Sequence, residues 1–444
     1  MPTDTRGFTP EVFRRRRERA LAALGSSAMV LPGASVRFSS RDNEYRFRPD
    51  SELFYLTGMD EPEAVAVLRG HAQEERFVLF VRPRDAKAEL WSGPRLGPED
   101  AKERYGADAA YPLAELEERL PGLLERAHLV YHRLGRDDRT GLLVRAALAS
   151  ARARGQRKGE GPRGVVDPGE VLDDKRLVKD EEEVRRLREA AAITVEGFRR
   201  TLRAARPGVG EWELEAVMDS TFRLSGADGP AYLTIVGSGP NACVLHYVAN
   251  ARALAEGDLV LVDAGAAVSL YGADITRTFP AGGTFSDAQR EVYDVVERAR
   301  AAAVAAVRPG ATTADVHAAA VSTLAAGLVE LGVLEGEVEA LVGDEKHEAF
   351  YPHQTSHWLG LDVHDVGDYA RDGEPRALLP GMVFTVEPGL YFPPAAEGVP
   401  ARFAGIGVRI EDDVLVTEDG CEVLTAALPT AAEEVEALVG DAQG

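Results

Sequence analysis

The chain has 444 residues, 45% of them hydrophobic and 28% charged, enough for two or three domains that each bury a core. Lys and Arg number 51 against 73 Asp and Glu, and the net charge of −22 repels phosphate backbones and anionic lipid, so nucleic acid or a membrane surface is not expected as the main partner. Cys243 and Cys421 are too few for a disulfide framework or a thiolate zinc site and fit a reducing, cytoplasmic compartment.

The N-terminal stretch MPTDTRGFTPEVFRRRRERALAAL lacks the apolar core and cleavage site of a signal peptide, and no run approaches the ~18 apolar residues of a membrane span. Residues 10 to 24 read instead as an amphipathic helix. Strand-like runs follow, ERFVLFV (75 to 81) and HLVYHRL (128 to 134), alternating with helical stretches such as PLAELEERLPGLLERA, which predicts an α/β N-terminal domain. Residues 151 to 170, ARARGQRKGEGPRGVVDPGE, are rich in Arg and Gly with few apolar anchors, the composition of an exposed connection. The expected domains are therefore 1–174 and 175–444.

In KDEEEVRRLREAAAITVEGFRRTLRAARPG (179 to 208), Val184, Leu187, Ala191, Val195, Phe198 and Leu202 fall at helical spacing. Asp180 supplies an N-cap with Glu183 three residues on, and Pro207-Gly208 ends the run.

The second domain repeats itself. RAARPGVGEWELEAVM (203 to 218) and AAVRPGATTADVHAAA (305 to 320), 102 residues apart, each end an Ala/Arg-rich helix at Arg-Pro-Gly and start another. GDLVLVDAG (257 to 265) matches GMVFTVEPG (381 to 389), so that Asp263 falls on Glu387. Two similar halves in the same order predict two α/β units about a pseudo-twofold, their sheets combined, with both carboxylates facing a shared cleft. Asp274 in ADITRTF, 11 residues after Asp263, suits a strand returning beside the first, and Glu411 in GVRIEDDVLV, 24 residues after Glu387, plays the matching part. Four buried carboxylates need compensating charge, because each one left unpaired costs several kcal/mol. Two divalent cations would balance them, and an oxygen-rich set favours Mn²⁺, with Co²⁺ or Zn²⁺ as competitors.

The stretch HQTSHWLGLDVHDVG (353 to 367) adds His353, His357 and His364. Asp263, Asp274, His357, Glu387 and Glu411, within VDAG, ADITRTF, SHWLGLDVHDVG, VEPG and RIEDD, resemble the five-ligand signature of the pita-bread metallopeptidases. RDNEYRFRPDSELFYLTGMDEPEAVAVL (41 to 68) and ELWSGPRLG (89 to 97) look like the creatinase-like N-terminal domain of that family's proline-specific aminopeptidases. The resemblance implies a creatinase-like α/β domain followed by a pseudo-twofold pita-bread catalytic domain. It further implies that Asp263 is a terminal ligand on one metal, that His357 and Glu387 are ligands on the other, and that Asp274 and Glu411 bridge.

It implies hydrolysis of the bond between an N-terminal residue and a following proline, with a metal-bridging hydroxide as nucleophile and Glu387 as the proton carrier. His246 in NACVLHYVAN, His353 and His364 are similar to residues that bind the scissile carbonyl and stabilise its oxyanion. Arg409 would orient a ligand carboxylate, Tyr391 is a substrate-site candidate, and Trp91 would help close the site of a neighbouring subunit in a homodimer or homotetramer. Trp358 is core or pocket wall, and His71, His128, His132, His317 and His347 are structural or surface residues. The expected partners are peptides with proline second. Prolidase, which takes only Xaa-Pro dipeptides, is the alternative on the same fold. A pita-bread module that only binds is a further alternative, although such modules usually lack ligands. Methionine aminopeptidase leaves the first domain unexplained, and creatinase uses no metal.

Overall fold

The computed structural model describes residues 6–440, which divide into one unit ending at Lys175 and another beginning at Arg176. In the first, the helix Pro10–Leu24 forms where the sequence predicts it, with Pro at its first position and Gly25 at its end. A six-stranded mixed sheet runs in the order Ala109–Pro112, Phe77–Val81, Val65–Arg69, Ala28–Pro32, Val130–Tyr131, Val165–Val166. Val30, Val67, Val78 and Phe80 bury one core against Leu120, Leu124 and Val144.

Two expectations here are corrected. The stretch 151–170 is not a bare connection, because the helix Asp138–Gly155 runs into it with Ala147 and Ala151 buried, and Val165–Val166 pairs in parallel with Val130–Tyr131 at the sheet edge. Small side chains make the buried contacts, so the apolar pattern is muted. The strand expected over 128 to 134 shrinks to Val130–Tyr131.

In the second unit the helix Glu181–Ala204 begins at a reciprocal cap: Glu183 N donates to the Asp180 carboxylate at 3.1 Å, and Asp180 N donates to Glu183 Oε2 at 3.0 Å. Its predicted apolar face, Val184 to Leu202, is buried. The duplication is visible in the element bounds. Glu181–Ala204 and Asp287–Ala306 end 102 residues apart, and Glu211–Leu224 and Thr313–Glu330 start 102 apart. Strand Leu259–Ala264 pairs antiparallel with Ile275–Pro280, placing Asp263 opposite Thr276, so Asp274 lies at the same end. Val383–Val386 pairs with Asp412–Val416, Val386 opposite Asp412, so Glu387 and Glu411 both step off one end of that pair.

The halves keep separate three-stranded sheets instead of merging them. Pro388 has no N–H to donate and interrupts the run at Val386, and Gly389–Phe392 then pairs with Ile406–Arg409. The sheets meet where Glu411 N donates to Thr276 O at 3.0 Å.

The terminal glycine of VDAG and of VEPG has a physical reason. A Cβ on Gly265 would lie 1.7 Å from the Ala273 carbonyl oxygen, and one on Gly389 would lie 2.8 Å from the Val408 carbonyl oxygen. Gly265→Ala must push apart the strands that carry Asp263 and Asp274, an overpacking cost of about 1–3 kcal/mol or more. A thermal melt should show a drop of several degrees together with weaker metal uptake; a variant that matches the parent in both would contradict the close approach.

Candidate metal centre

The two strand pairs and the segment before Val383 open onto one cavity of about 560 Å³. Asp263, Asp274, His357, Glu387 and Glu411 all line it, as do His246, His353, His364 and Arg409. Asp274, His357 and Glu411 each present a ligand atom, all within 4.8 Å of one another. His357 Nε2 lies 3.3 Å from Asp274 Oδ2 and 3.6 Å from Glu387 Oε1. Its Nδ1 faces the Trp358 carbonyl at 3.2 Å; a carbonyl only accepts, so Nδ1 carries a proton and Nε2 is turned into the cavity.

These carboxylates are at odds with their surroundings. Burial pushes the Glu387 carboxyl up to about 7, with Asp274 and Asp263 adding to the rise and His357 and Arg409 opposing it. Burial raises Glu411 well above the carboxylate range, and Asp274, Glu387 and Asp263 add to it. Asp263 is raised by burial, against the pull of Arg409, whose guanidinium it contacts. Burial lowers the pKa of His357, but the hydrogen bond and charge of Asp274 with the charge of Glu387 outweigh it and hold it at about 9. Arg409 is the one Arg or Lys among the lining residues, so positive charge is short. Four hard oxygen donors that repel one another, with one imidazole beside them, fit divalent cations.

Hydrogen bonds fix each donor from behind. Thr276 Oγ1 donates to Glu411 Oε2 at 2.7 Å, Arg409 Nε donates to Thr276 Oγ1 at 3.1 Å, and Thr385 Oγ1 donates to Glu387 Oε1 at 3.3 Å. Four residues that the sequence did not single out belong to this layer. The Tyr232 hydroxyl contacts Asp274 and donates to Asp263 Oδ1 at 2.5 Å. Both Asp413 oxygens accept from Asp274 N at 3.2 Å. Thr276 and Thr385 complete it, and although Thr276, Thr385 and Asp413 fall inside ADITRTF, GMVFTVEPG and RIEDD, nothing in those runs says what each side chain bonds.

His246 and His364 are exposed at the cavity wall, and the His364 ring lies 4.3 Å from that of His357. His353 is pushed down to about 4 by burial and by the charge of Arg409. Its Nδ1 faces the Gln354 carbonyl at 2.9 Å, which leaves Nε2 to accept from the Tyr391 hydroxyl at 2.9 Å. Arg409 in turn donates to Tyr391 at 3.1 Å, so Tyr391 is buried between the two and is placed to hold them, not to meet a ligand. Trp358 is fully buried, stacks on Tyr369 and donates to the Gly367 carbonyl at 3.0 Å, which makes it core. Asp365 contacts Arg176 and accepts from Lys179 at 3.0 Å, and Asp362 accepts from Arg176 at 2.8 Å, so both serve ion pairs. His132 Nδ1 faces the Val30 carbonyl at 3.0 Å, and His317 Nδ1 lies 2.8 Å from Thr355 Oγ1. Trp91 belongs to the first unit, on the helix Ala86–Ser92, where it is 85% exposed.

The profile of Metallopeptidase family M24 matches residues 185–418, and that of the aminopeptidase P N-terminal domain matches residues 13–131. The Xaa-Pro aminopeptidase of Escherichia coli K12 is 43% identical over 430 residues, covering 96% of this chain and 97% of that protein. Human Xaa-Pro aminopeptidase 3 is 33% identical over 455 residues, covering 99% and 87%. Among solved structures, an aminopeptidase of Pseudomonas aeruginosa is similar with a TM-score of 0.94 at 43% identity, covering 98% of this chain and 99% of that one. Zinc-substituted E. coli aminopeptidase P in complex with product has a TM-score of 0.94 at 42% identity, covering 98% and 99%.

The shifted carboxyls make a pH prediction for the metal-stripped protein. Glu387, Glu411 and Asp263 have folded values raised above their unfolded ones, so the stability they contribute is present at low pH and is lost as pH rises through the folded values. His357, held at about 9, acts in the same direction. The depressed His353 acts oppositely, but only between about 4 and 6.5. From about pH 6.5 to 9 the Tm should therefore fall by several degrees, and added Mn²⁺ should raise it more at the alkaline end. A Tm that rises across this interval would contradict the assignment.

Proposed function

The chain belongs to metallopeptidase family M24, and from that membership we propose that it is an Xaa-Pro aminopeptidase, a hydrolase that removes the first residue of a peptide when proline is second. The observation that carries this reading is the convergence of Asp263, Asp274, His357, Glu387 and Glu411 on one cavity, in a chain similar along its length to enzymes of that activity. Prolidase is not favoured, because the full-length relatives are aminopeptidases. A module that only binds would not need the complete donor set.

Asp263, Asp274, His357, Glu387 and Glu411 would hold two divalent cations, with Asp263 serving one, His357 and Glu387 the other, and Asp274 and Glu411 placed to serve both. The hard donor set favours Mn²⁺ over Co²⁺ or Zn²⁺. When bound, the cations supply Lewis-acid activation of water and of the scissile carbonyl. The protein's own groups do the rest. Glu387 takes the proton of the attacking water and returns it to the proline nitrogen as the C–N bond breaks. His246 and His364 hold the carbonyl oxygen and the charge that develops on it, while His353, similar to them in sequence context, lines the cavity with both ring nitrogens already bonded. Because His353 is depressed to about 4, it is neutral at pH 7, with its one N–H, on Nδ1, given to the Gln354 carbonyl and Nε2 accepting from Tyr391. Arg409 and Tyr232 keep Asp263 and Asp274 in place.

The exposed Leu90–Trp91 pair supports assembly as a homodimer or homotetramer, 83% and 85% of these side chains being open. Two free cysteines suit a cytoplasmic setting, and among the described residues no helix is long and apolar enough to cross a membrane. The acidic charge disfavours nucleic acid as a partner.

With Mn²⁺, the purified protein should release arginine from Arg-Pro-Pro peptides faster than it cleaves the dipeptide Arg-Pro. Asp274→Ala should lose about a thousandfold or more in kcat/KM, and bound metal should fall below the parent's expected two equivalents. Full turnover in that variant would sink the mechanism, and a preference for the dipeptide would restore prolidase.

A further inference from the structure

The part of the cavity wall that presents His246 belongs to no long element. The 3-10 turn Gly239–Cys243 is followed by irregular backbone as far as the isolated bridge between Ala253 and Gly210. Such a run has no ladder to hold it and depends on side-chain bonds for its position. Leu245, His246 and Val248 line the cavity, while the Tyr247 hydroxyl reaches Glu211.

Glu211 opens the helix Glu211–Leu224 and is 0% exposed. Its Oε1 accepts from Ser238 N at 2.7 Å, Ser238 Oγ at 2.7 Å and Asn241 Nδ2 at 3.1 Å. Its Oε2 accepts from Tyr247 Oη at 2.9 Å and Arg252 N at 2.8 Å. Glu211 N donates back to the Arg252 carbonyl at 2.9 Å. A carboxylate offers about four lone-pair sites, so five donors saturate it. All five lie within residues 238–252, the segment that carries His246. A carboxylate placed only for the positive end of a helix would not gather its donors from one distant segment.

We propose that Glu211 is a positioning residue for the peptidase reaction: through Ser238, Tyr247 and Arg252 it fixes the segment that sets His246 against the scissile carbonyl. The inference rests on the reading of His246 as a group that touches substrate. It adds a residue with no cavity surface and no place among the metal donors.

Tyr247→Phe removes the bond to Glu211 and the longer one that the hydroxyl accepts from Ala251 N at 3.3 Å, both within the segment that carries His246, and leaves the metal donors untouched. Glu211→Gln turns an amide N–H toward backbone donors and disturbs the whole segment. Small displacements of a positioned group cost up to about 100-fold, so kcat should fall about tenfold in Tyr247→Phe and further in Glu211→Gln, with KM changed less than kcat and bound metal at the parent level. A double-mutant cycle with His246→Ala isolates the coupling. In a His246→Ala background, Tyr247→Phe should cost less than about twofold. If Glu211→Gln does not fold, Tyr247→Phe decides alone. A costly His246→Ala whose effect multiplies with that of Tyr247→Phe overturns the positioning role and leaves the reading of His246 standing. An inert His246→Ala removes that reading, and the inference with it.

Discussion

Asp263, Asp274, Glu387 and Glu411 share a cavity whose one Arg or Lys is Arg409, and the second unit depends on that imbalance. If all four are ionised and the histidines neutral, the lining carries −4 + 1 = −3 from these groups. No arrangement of the chain alone removes this repulsion, so the folded state must take up protons or cations. Cation binding and folding are therefore linked: what stabilises the ions in the site stabilises the strands that present it. The close backbone approach at Gly265 and the bonds from Thr276, Tyr232 and Asp413 hold together, at fixed distances, groups that would otherwise move away from one another.

Duplication explains how such a site is assembled. Each half delivers one carboxylate where a strand leaves its pair and a second where the partner strand enters, which is why the ends of two hairpins suffice for four donors. The symmetry stops at His357 and Arg409, which have no counterpart in the first half. His357 stands beside Asp274 and Glu387, while Arg409 contacts Asp263, so the two sides of the centre are chemically unequal.

What was legible in the sequence is what repeats or is periodic. The apolar faces of the long helices, the cap at Asp180 and the two carboxylate-x-Gly strand ends all follow local rules, and they lead to the donors without reference to tertiary contacts. The stretch 151–170 misled because Ala and Gly bury as well as Leu does when helices approach closely, while composition counts them as weak anchors. Tyr232, Asp413 and Glu211 were illegible for another reason. A polar residue that serves another polar residue shows no periodicity, and its partners lie at separations that only the fold decides, 31 residues from Tyr232 to Asp263 and 139 from Asp274 to Asp413.

Proline selectivity needs a different argument from catalysis. An Xaa-Pro bond is a tertiary amide with no N–H, so hydrogen bonding to that nitrogen cannot identify it. The cavity offers Tyr232, Leu233, Ile235, Leu245, Val248 and Val363 as a largely carbon wall beside the donors. Burying three ring methylenes against carbon contributes about 2 kcal/mol, a preference of no more than a few tens of fold. A comparable part comes from rejection: a secondary amide N–H turned toward such a wall loses its water and finds no acceptor, a penalty of about 1–3 kcal/mol that proline avoids by having no proton to place. The wall and the segment that carries His246 overlap at Leu245 and Val248, so a shift of that segment would move the carbon wall along with the imidazole.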